Sequence, residues 1–184
     1  MVDRLIDGNS MGTTIGFIAA MTLGVASLSG CSDTTTPADG DIERLTLGDR
    51  TFDLEIASAR ESRQKGLGGR KSLAKDGGMF FVFPDARARR FWMYDCVIPI
   101  DIAFVDPIGY VTAVHTMPAE DLRGEDESIL AYESRLKGYS SAYPAQFAIE
   151  LVPGSFESLG IAAGDRIPIS PERLKTLGLA AEPD

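Results

Sequence analysis

Five consecutive apolar side chains, Met79-Phe80-Phe81-Val82-Phe83, lie between Gly77-Gly78 and Pro84. A short run of this kind, rich in aromatic residues and punctuated by glycine and proline, reads as a strand buried on both faces. Two further apolar blocks, Arg90-Phe91-Trp92-Met93-Tyr94 and Ile100-Asp101-Ile102-Ala103-Phe104-Val105, are read the same way. Ahead of them, Glu43-Arg44-Leu45-Thr46-Leu47 and Thr51-Phe52-Asp53-Leu54-Glu55-Ile56 alternate polar and apolar around Gly48-Asp49, the pattern of a half-buried hairpin. Ser58 is placed to cap a short helix over residues 59–67, which Gly66, Gly68 and Gly69 close.

Beyond the apolar blocks, Asp106-Pro107-Ile108-Gly109 has the residues of a tight turn, and residues 110–117 return as its partner strand. Residues 118–139 are acidic and poor in large apolar side chains, and read as an excursion over the surface. Residues 146–152 form a later core strand, Ser155 opens a helical turn closed by Gly160, and 166–169 make a last short strand. Ser170-Pro171-Glu172 starts a short C-terminal helix or tail, 171–184, with proline at its permitted first position. About eight strand candidates and only short helices predict a mainly β fold over residues 41–170, an antiparallel sandwich or partly closed barrel.

The 184 residues carry 18 basic and 27 acidic side chains, a net charge of -9. Phosphate contact needs a broad basic face, so a nucleic-acid partner is not expected. One histidine excludes a multi-histidine metal site, and two cysteines exclude a disulfide framework or a thiolate zinc cage. No metal or other cofactor is expected.

Residues 15–28 (IGFIAAMTLGVASL) are apolar over about 14 positions, where a bilayer span needs about 20. That length suits the apolar core of a signal peptide. The stretch ends in Leu28-Ser29-Gly30-Cys31, which resembles the lipobox of bacterial lipoproteins, whose cysteine is lipidated and becomes the first mature residue. The resemblance implies a signal peptide over 1–30 and an exported protein anchored to the cell membrane or outer membrane through lipid on Cys31. Residues 31–40, polar and rich in threonine after Cys31, have the composition of a tether. Asp3 and Asp7 beside Arg4 depart from the usual positive leader, and Met11 is an alternative start.

The aromatic centre resembles domain-of-unknown-function family 192, small and often exported proteins with no established biochemical activity. The resemblance spans about residues 42–170. It rests on Gly78-Met79-Phe80-Phe81-Val82-Phe83, Phe91-Trp92-Met93 and Ile98-Pro99-Ile100-Asp101-Ile102-Ala103-Phe104, with support from Gly66-Leu67, Arg70, Glu150 and Gly164-Asp165-Arg166. It implies a compact, mainly β, jelly-roll-like sandwich. The family has no assigned catalytic residues, so none carry over. Gly68 stands where the family usually has Met, and Asp95-Cys96 where it commonly has Asn-Thr.

Strand alternation puts Ile100, Ile102 and Phe104 on one face and Asp101 with Ala103 on the other. A carboxylate amid such neighbours must face solvent, be hydrogen-bonded or be paired. Asp101 is therefore either a structural acceptor that fixes the loop around Pro99, by backbone N–H groups or Arg70, or a pocket acid. Asp101, Trp92, Arg70 and Asp95 are the candidate pocket. An Asp95–Asp101 acid pair of the glycosidase kind and a calcium site from Asp95, Asp101 and Asp106 both lack supporting spacing. His115 reads as a satisfied strand residue and Cys96 as a small core residue. Gly8-Asn9-Ser10-Met11-Gly12 matches a nucleophile elbow but lies in the leader with no strand before it. Phe91, Trp92 and Tyr94 read as interior rather than as a stacking platform, and Arg87, Arg89 and Arg90 as a solvated loop rather than an anion site. The function expected is a lipid-anchored cell-envelope module that binds an unknown envelope ligand or protein. The alternatives are an envelope hydrolase, directed at glycans and using Asp101, and a structural accessory factor for another envelope protein.

Overall fold

The computed structural model describes residues 36–184. The signal segment 1–30, Cys31 and tether residues 32–35 lie outside the described residues. The hairpin forms as its alternation requires: β1 (Ile42–Leu47) and β2 (Arg50–Ala57) pair antiparallel. Gly48 turns between them at φ 60, a left-handed conformation that glycine adopts without a Cβ clash. Leu45, Leu47, Phe52, Leu54 and Ile56 are buried on one face.

Next come α1 (Arg60–Lys65), β3 (Gly77–Arg87), β4 (Arg90–Phe91), β5 (Ile100–Val105) and β6 (Val111–Met117). They are followed by α2 (Ile129–Arg135), β7 (Tyr139–Ser140), β8 (Ala145–Leu151), α3 (Ser155–Ser158) and α4 (Pro171–Ala180). The main sheet has the order β1-β2-β3-β8-β5-β6, and β4 pairs with β7 in a second, two-stranded sheet. The fold is mainly β with short helices, and among the described residues no barrel closes. The main sheet is mixed rather than wholly antiparallel, because β3 runs parallel to β2. The cause is the connection: residues 58–76 carry α1 across the sheet, and a crossover of that length permits parallel pairing where a tight hairpin forbids it.

Three segments differ from their sequence reading. Pairing in residues 90–94 stops at Phe91, and the chain turns through Asp95 at φ 51, so no full strand forms there. Residues 166–169 supply a single bridge, Arg166 to Tyr110, instead of a strand. The acidic excursion contains α2, where the Ser128 hydroxyl accepts from the Ala131 N–H (3.1 Å) and Tyr132 is buried.

The α1 cap also differs. The N-cap position is Ala59 rather than Ser58 and no side chain caps it; the Asp39 carboxylate holds the entry instead, accepting from the N–H groups of Ser58 and Ala59 (2.8 and 2.9 Å) and from the Ser62 hydroxyl (2.6 Å). Burial alone would raise this carboxyl, but those hydrogen bonds and the Arg63 charge outweigh burial and hold it below the usual carboxylate range. Residues 36–40, expected as tether, therefore belong to the fold. At the other end α4 begins as predicted, the Ser170 hydroxyl accepting from the Arg173 N–H (3.1 Å). Its Leu174 and Leu177 are fully buried, which makes 171–184 part of the domain body rather than a tail.

The pleat of the central strands divides the core in two. Phe80, Val82, Ala103, Val105, Phe147, Ile149 and Leu151 face one way, against Phe156, Leu174 and Leu177. Met79, Phe81, Ile100, Ile102, Phe104 and Ala148 face the other, against Leu67, Met93, Cys96 and Tyr139. Ile149 and Leu151 point into the first core, so Glu150 between them falls on the second face. Its register neighbours are Met79 on β3 and Ile102 on β5.

Candidate functional site

Over that second face lies a cavity of about 610 Å³. Its buried lining includes Phe81, Met93, Cys96, Ile100 and Glu150; its exposed lining includes Arg60, Lys65, Arg87, Arg90, Trp92 and Asp184. Phe91 forms a wall, held edge-on against Phe81 (5.0 Å between centroids), Phe104 (5.3 Å) and Phe83 (6.2 Å). Edge-to-face contacts of this kind fix a ring's orientation.

Glu150 is the one carboxyl set among this apolar lining. Its Oε2 has no hydrogen-bond partner among the described residues. Desolvation pushes the carboxyl up to about 8, with the Arg70 charge opposing only in part. Near neutral pH the group is thus protonated, and a protonated acid can donate a hydrogen bond that a carboxylate cannot. Burial likewise pushes the Cys96 thiol up, and its S–H donates to the Ile98 carbonyl (3.5 Å). A thiol held protonated is a poor nucleophile.

Of the basic run, Arg87 and Arg90 are exposed to solvent as expected, but Arg89 is not. Arg89 is buried, its guanidinium 3.5 Å above the Phe83 ring centroid, with Nε donating to the Ala145 carbonyl (3.0 Å) and Nη2 to Asp85 (2.7 Å). Desolvation pulls Arg89 down to about 10 and also lowers Arg63, and both remain cationic at neutral pH. Six cations line the cavity, Arg60, Arg63, Lys65, Arg87, Arg89 and Arg90, against the carboxyls of Glu133, Glu150 and Asp184. In a chain of net charge -9 this is a local reversal of sign, which concentrates anions at one place.

Comparison with known proteins now fits the same residues. The family DUF192, described as an uncharacterized ACR, matches residues 43–169. The chain belongs to this family. No curated protein matches it. Two solved structures are similar to this DUF192 chain. One is a candidate transcription regulator from Sinorhizobium meliloti 1021, 26% identical, with 68% of this chain and 88% of that one covered and a TM-score of 0.51. The other is a protein of unknown function from Novosphingobium aromaticivorans DSM 12444, 27% identical, with 72% and 89% covered and a TM-score of 0.54.

Within the DUF192 domain the four residues singled out from the sequence are not brought together. Trp92 lines the cavity and is 49% exposed. It is not interior as expected: with β4 ending at Phe91, Phe91 and Met93 turn inward and Trp92 outward. Asp101 is buried outside the cavity lining, and its Oδ1 accepts from the hydroxyl of Thr116 (2.7 Å), its cross-strand neighbour on β6. Its partner is neither Arg70 nor the loop at Pro99. Arg70 pairs instead with Glu55 (2.7 Å). Asp95 is exposed; its N–H donates to the Tyr132 hydroxyl (2.9 Å) and its carbonyl accepts from the Gly69 N–H (2.9 Å). Neither Arg70 nor Asp95 is part of the lining. His115 is satisfied, with Nε2 2.7 Å from the Ser140 carbonyl oxygen.

Glu150 and Arg63 are lining residues that the sequence reading did not consider for a site, and Arg89 is one it set aside with Arg87 and Arg90 in favour of a solvated loop. For Glu150 a signal was present, an acid inside the apolar run Gln146-Phe147-Ala148-Ile149-Glu150-Leu151-Val152. Among the described residues no three His, Cys, Asp or Glu side chains gather as a metal ion would require, and no helix is long and apolar enough to cross a membrane.

Proposed function

We propose that this DUF192 protein is a binding module for a small amphiphilic anion and is held at the cell envelope by lipid on Cys31. The observation that carries the binding role is the cavity, aromatic within and ringed by cations. Ligand pockets are typically apolar hollows with a few polar groups that fix orientation. The apolar body of the ligand packs against Phe81, Phe91, Met93 and Ile100, its anionic head meets the arginines, and the protonated Glu150 offers a hydrogen bond at the base. The hydrolase alternative relies on Asp101, whose carboxylate is engaged by Thr116, so binding is the role the geometry favours. The regulator description of the Sinorhizobium relative does not carry over, because a ringed hollow in an acidic chain is no match for the extended backbone of a nucleic acid.

Decanoate, a carboxylate with an apolar body, is the probe. Calorimetric titration of the full chain is expected to give saturable one-to-one binding in the micromolar range, weakened by added salt. No saturable heat with either decanoate or the neutral decanol contradicts the binding role. For the anchor, the support is the short apolar stretch ending at Cys31. More than one acyl chain there gives durable attachment, since a single chain holds only marginally. Mass spectrometry of the membrane fraction is expected to find a chain that begins at acylated Cys31; a full-length chain with Cys31 unmodified contradicts it.

A further inference from the structure

Three guanidinium groups converge on one carboxylate at the edge of the cavity. Asp184 Oδ1 accepts from Arg63 Nη2 (2.9 Å), while Oδ2 pairs with Arg87 and lies 3.8 Å from Arg89 Nη1. The side chains of Arg63 and Arg89 are only 4% and 6% exposed, whereas Arg87 is half exposed. The fold holds the two buried cations in place. Arg63 donates to the carbonyls of Ser58 and Val82, Arg89 donates to that of Ala145, and both lie against the Phe83 ring. Asp85 pairs with Arg89 (2.7 Å) and Arg87 (3.7 Å), and the charges of Glu182 and Asp39 also act on Arg63.

Desolvated guanidinium groups demand an anion, since leaving them unpaired is strongly unfavourable. Planar forks aimed at one point select an oxyanion. The carboxylate now at that point belongs to residues 181–184, in which Ala181 packs against the first core and Glu182 makes hydrogen bonds. Its N–H donates to the Ser58 carbonyl (3.0 Å), its carbonyl accepts from Arg63 (2.8 Å), and its carboxylate accepts from the Arg60 N–H (3.1 Å). Asp184 can therefore leave the arginines while Glu182 keeps the segment attached.

We propose that Arg63, Arg87 and Arg89 form a seat for a single carboxylate, that the head group of the amphiphilic ligand binds there, and that Asp184 is its built-in competitor. The proposal rests on the binding role proposed above and names the residues that take the head group. An internal competitor reduces apparent affinity by the fraction of time it leaves the seat empty.

The full chain is titrated calorimetrically with decanoate and, separately, with decanol, as wild type and with Asp184→Asn or Arg87→Gln. Asp184→Asn is expected to tighten decanoate at least about fivefold and to leave decanol unchanged. Arg87→Gln, at the exposed cation of the three, is expected to weaken decanoate by a similar factor and again to spare decanol. If decanol binds while neither substitution alters decanoate, the seat is overturned and the cavity reading stands. If no variant binds either ligand, the cavity reading fails and the seat with it. A lower unfolding temperature for Asp184→Asn with unchanged decanoate affinity makes the contact a structural ion pair, and also overturns the proposal.

Discussion

Glu150→Gln is expected to gain several kcal/mol on the wild-type protein as pH rises from 4 to 8. In the unfolded chain a glutamate ionises near its ordinary value, about 4.3, whereas in the folded protein burial holds Glu150 up to about 8. Below the unfolded value both states carry the proton, and the folded state has no penalty. Between the two values the unfolded chain is ionised and the folded one is not, so each pH unit favours unfolding; near the folded value the loss levels off. The loss amounts to about 4 kcal/mol at pH 8. Glutamine does not titrate, so the variant lacks this slope. Its amide brings unpaired donors that cost about 1–3 kcal/mol at every pH, which makes it the less stable protein at pH 4 and the more stable one at pH 8. Urea unfolding at a series of pH values checks the crossing. A constant difference between the two proteins contradicts a buried, unpaired carboxyl at the cavity base.

Gly78→Val is expected to destabilise the domain by about 3 kcal/mol or more, the upper end of what overpacking costs. Gly78 lies in β3 between β2 and β8, opposite Leu54. A Cβ there would run into the carbonyl oxygen of Glu150 and lie 2.6 Å from a Leu54 methyl and 2.8 Å from a Leu151 methyl. The leucine methyls could rotate away; the β8 carbonyl could not move without disturbing the ladder that carries Glu150. Thermal unfolding of Gly78→Ala and Gly78→Val should show a graded loss, Val the worse. Equal midpoints for Gly78→Val and wild type would mean that β3 and β8 are not packed as described.

The strands whose ends are written in turn chemistry were legible from sequence alone. Gly48 between β1 and β2, and Gly109 at φ 96 with its N–H donating to the Asp106 carbonyl (3.2 Å), sit where glycine was expected. Ser170 and Pro171 likewise open α4. What stayed hidden depends on chain segments meeting from far apart. Asp39 ties down the residues just before a helix that begins some twenty positions later, while the nearer Ser58 gave the stronger local signal. Arg89 is buried between exposed Ala88 and Arg90, so its surroundings come from Phe83, Asp85 and Ala145 rather than from its neighbours in sequence. Trp92 was misplaced because the apolar run 90–94 was read as a strand buried on both faces, whereas pairing ends at Phe91 and one side of the run stays open to solvent. The central strands were plain because a doubly buried strand is apolar along its length; Glu150 was the one charged residue on β8, and it marks the site.

Trp92 is the only tryptophan in the chain and lies half exposed at the cavity, so its emission reports on occupancy there. Adding decanoate to the full chain should shift that emission to shorter wavelength and saturate at one equivalent. An unchanged spectrum up to millimolar decanoate, with the protein still folded, would contradict a ligand seated among Phe91, Trp92 and the arginines.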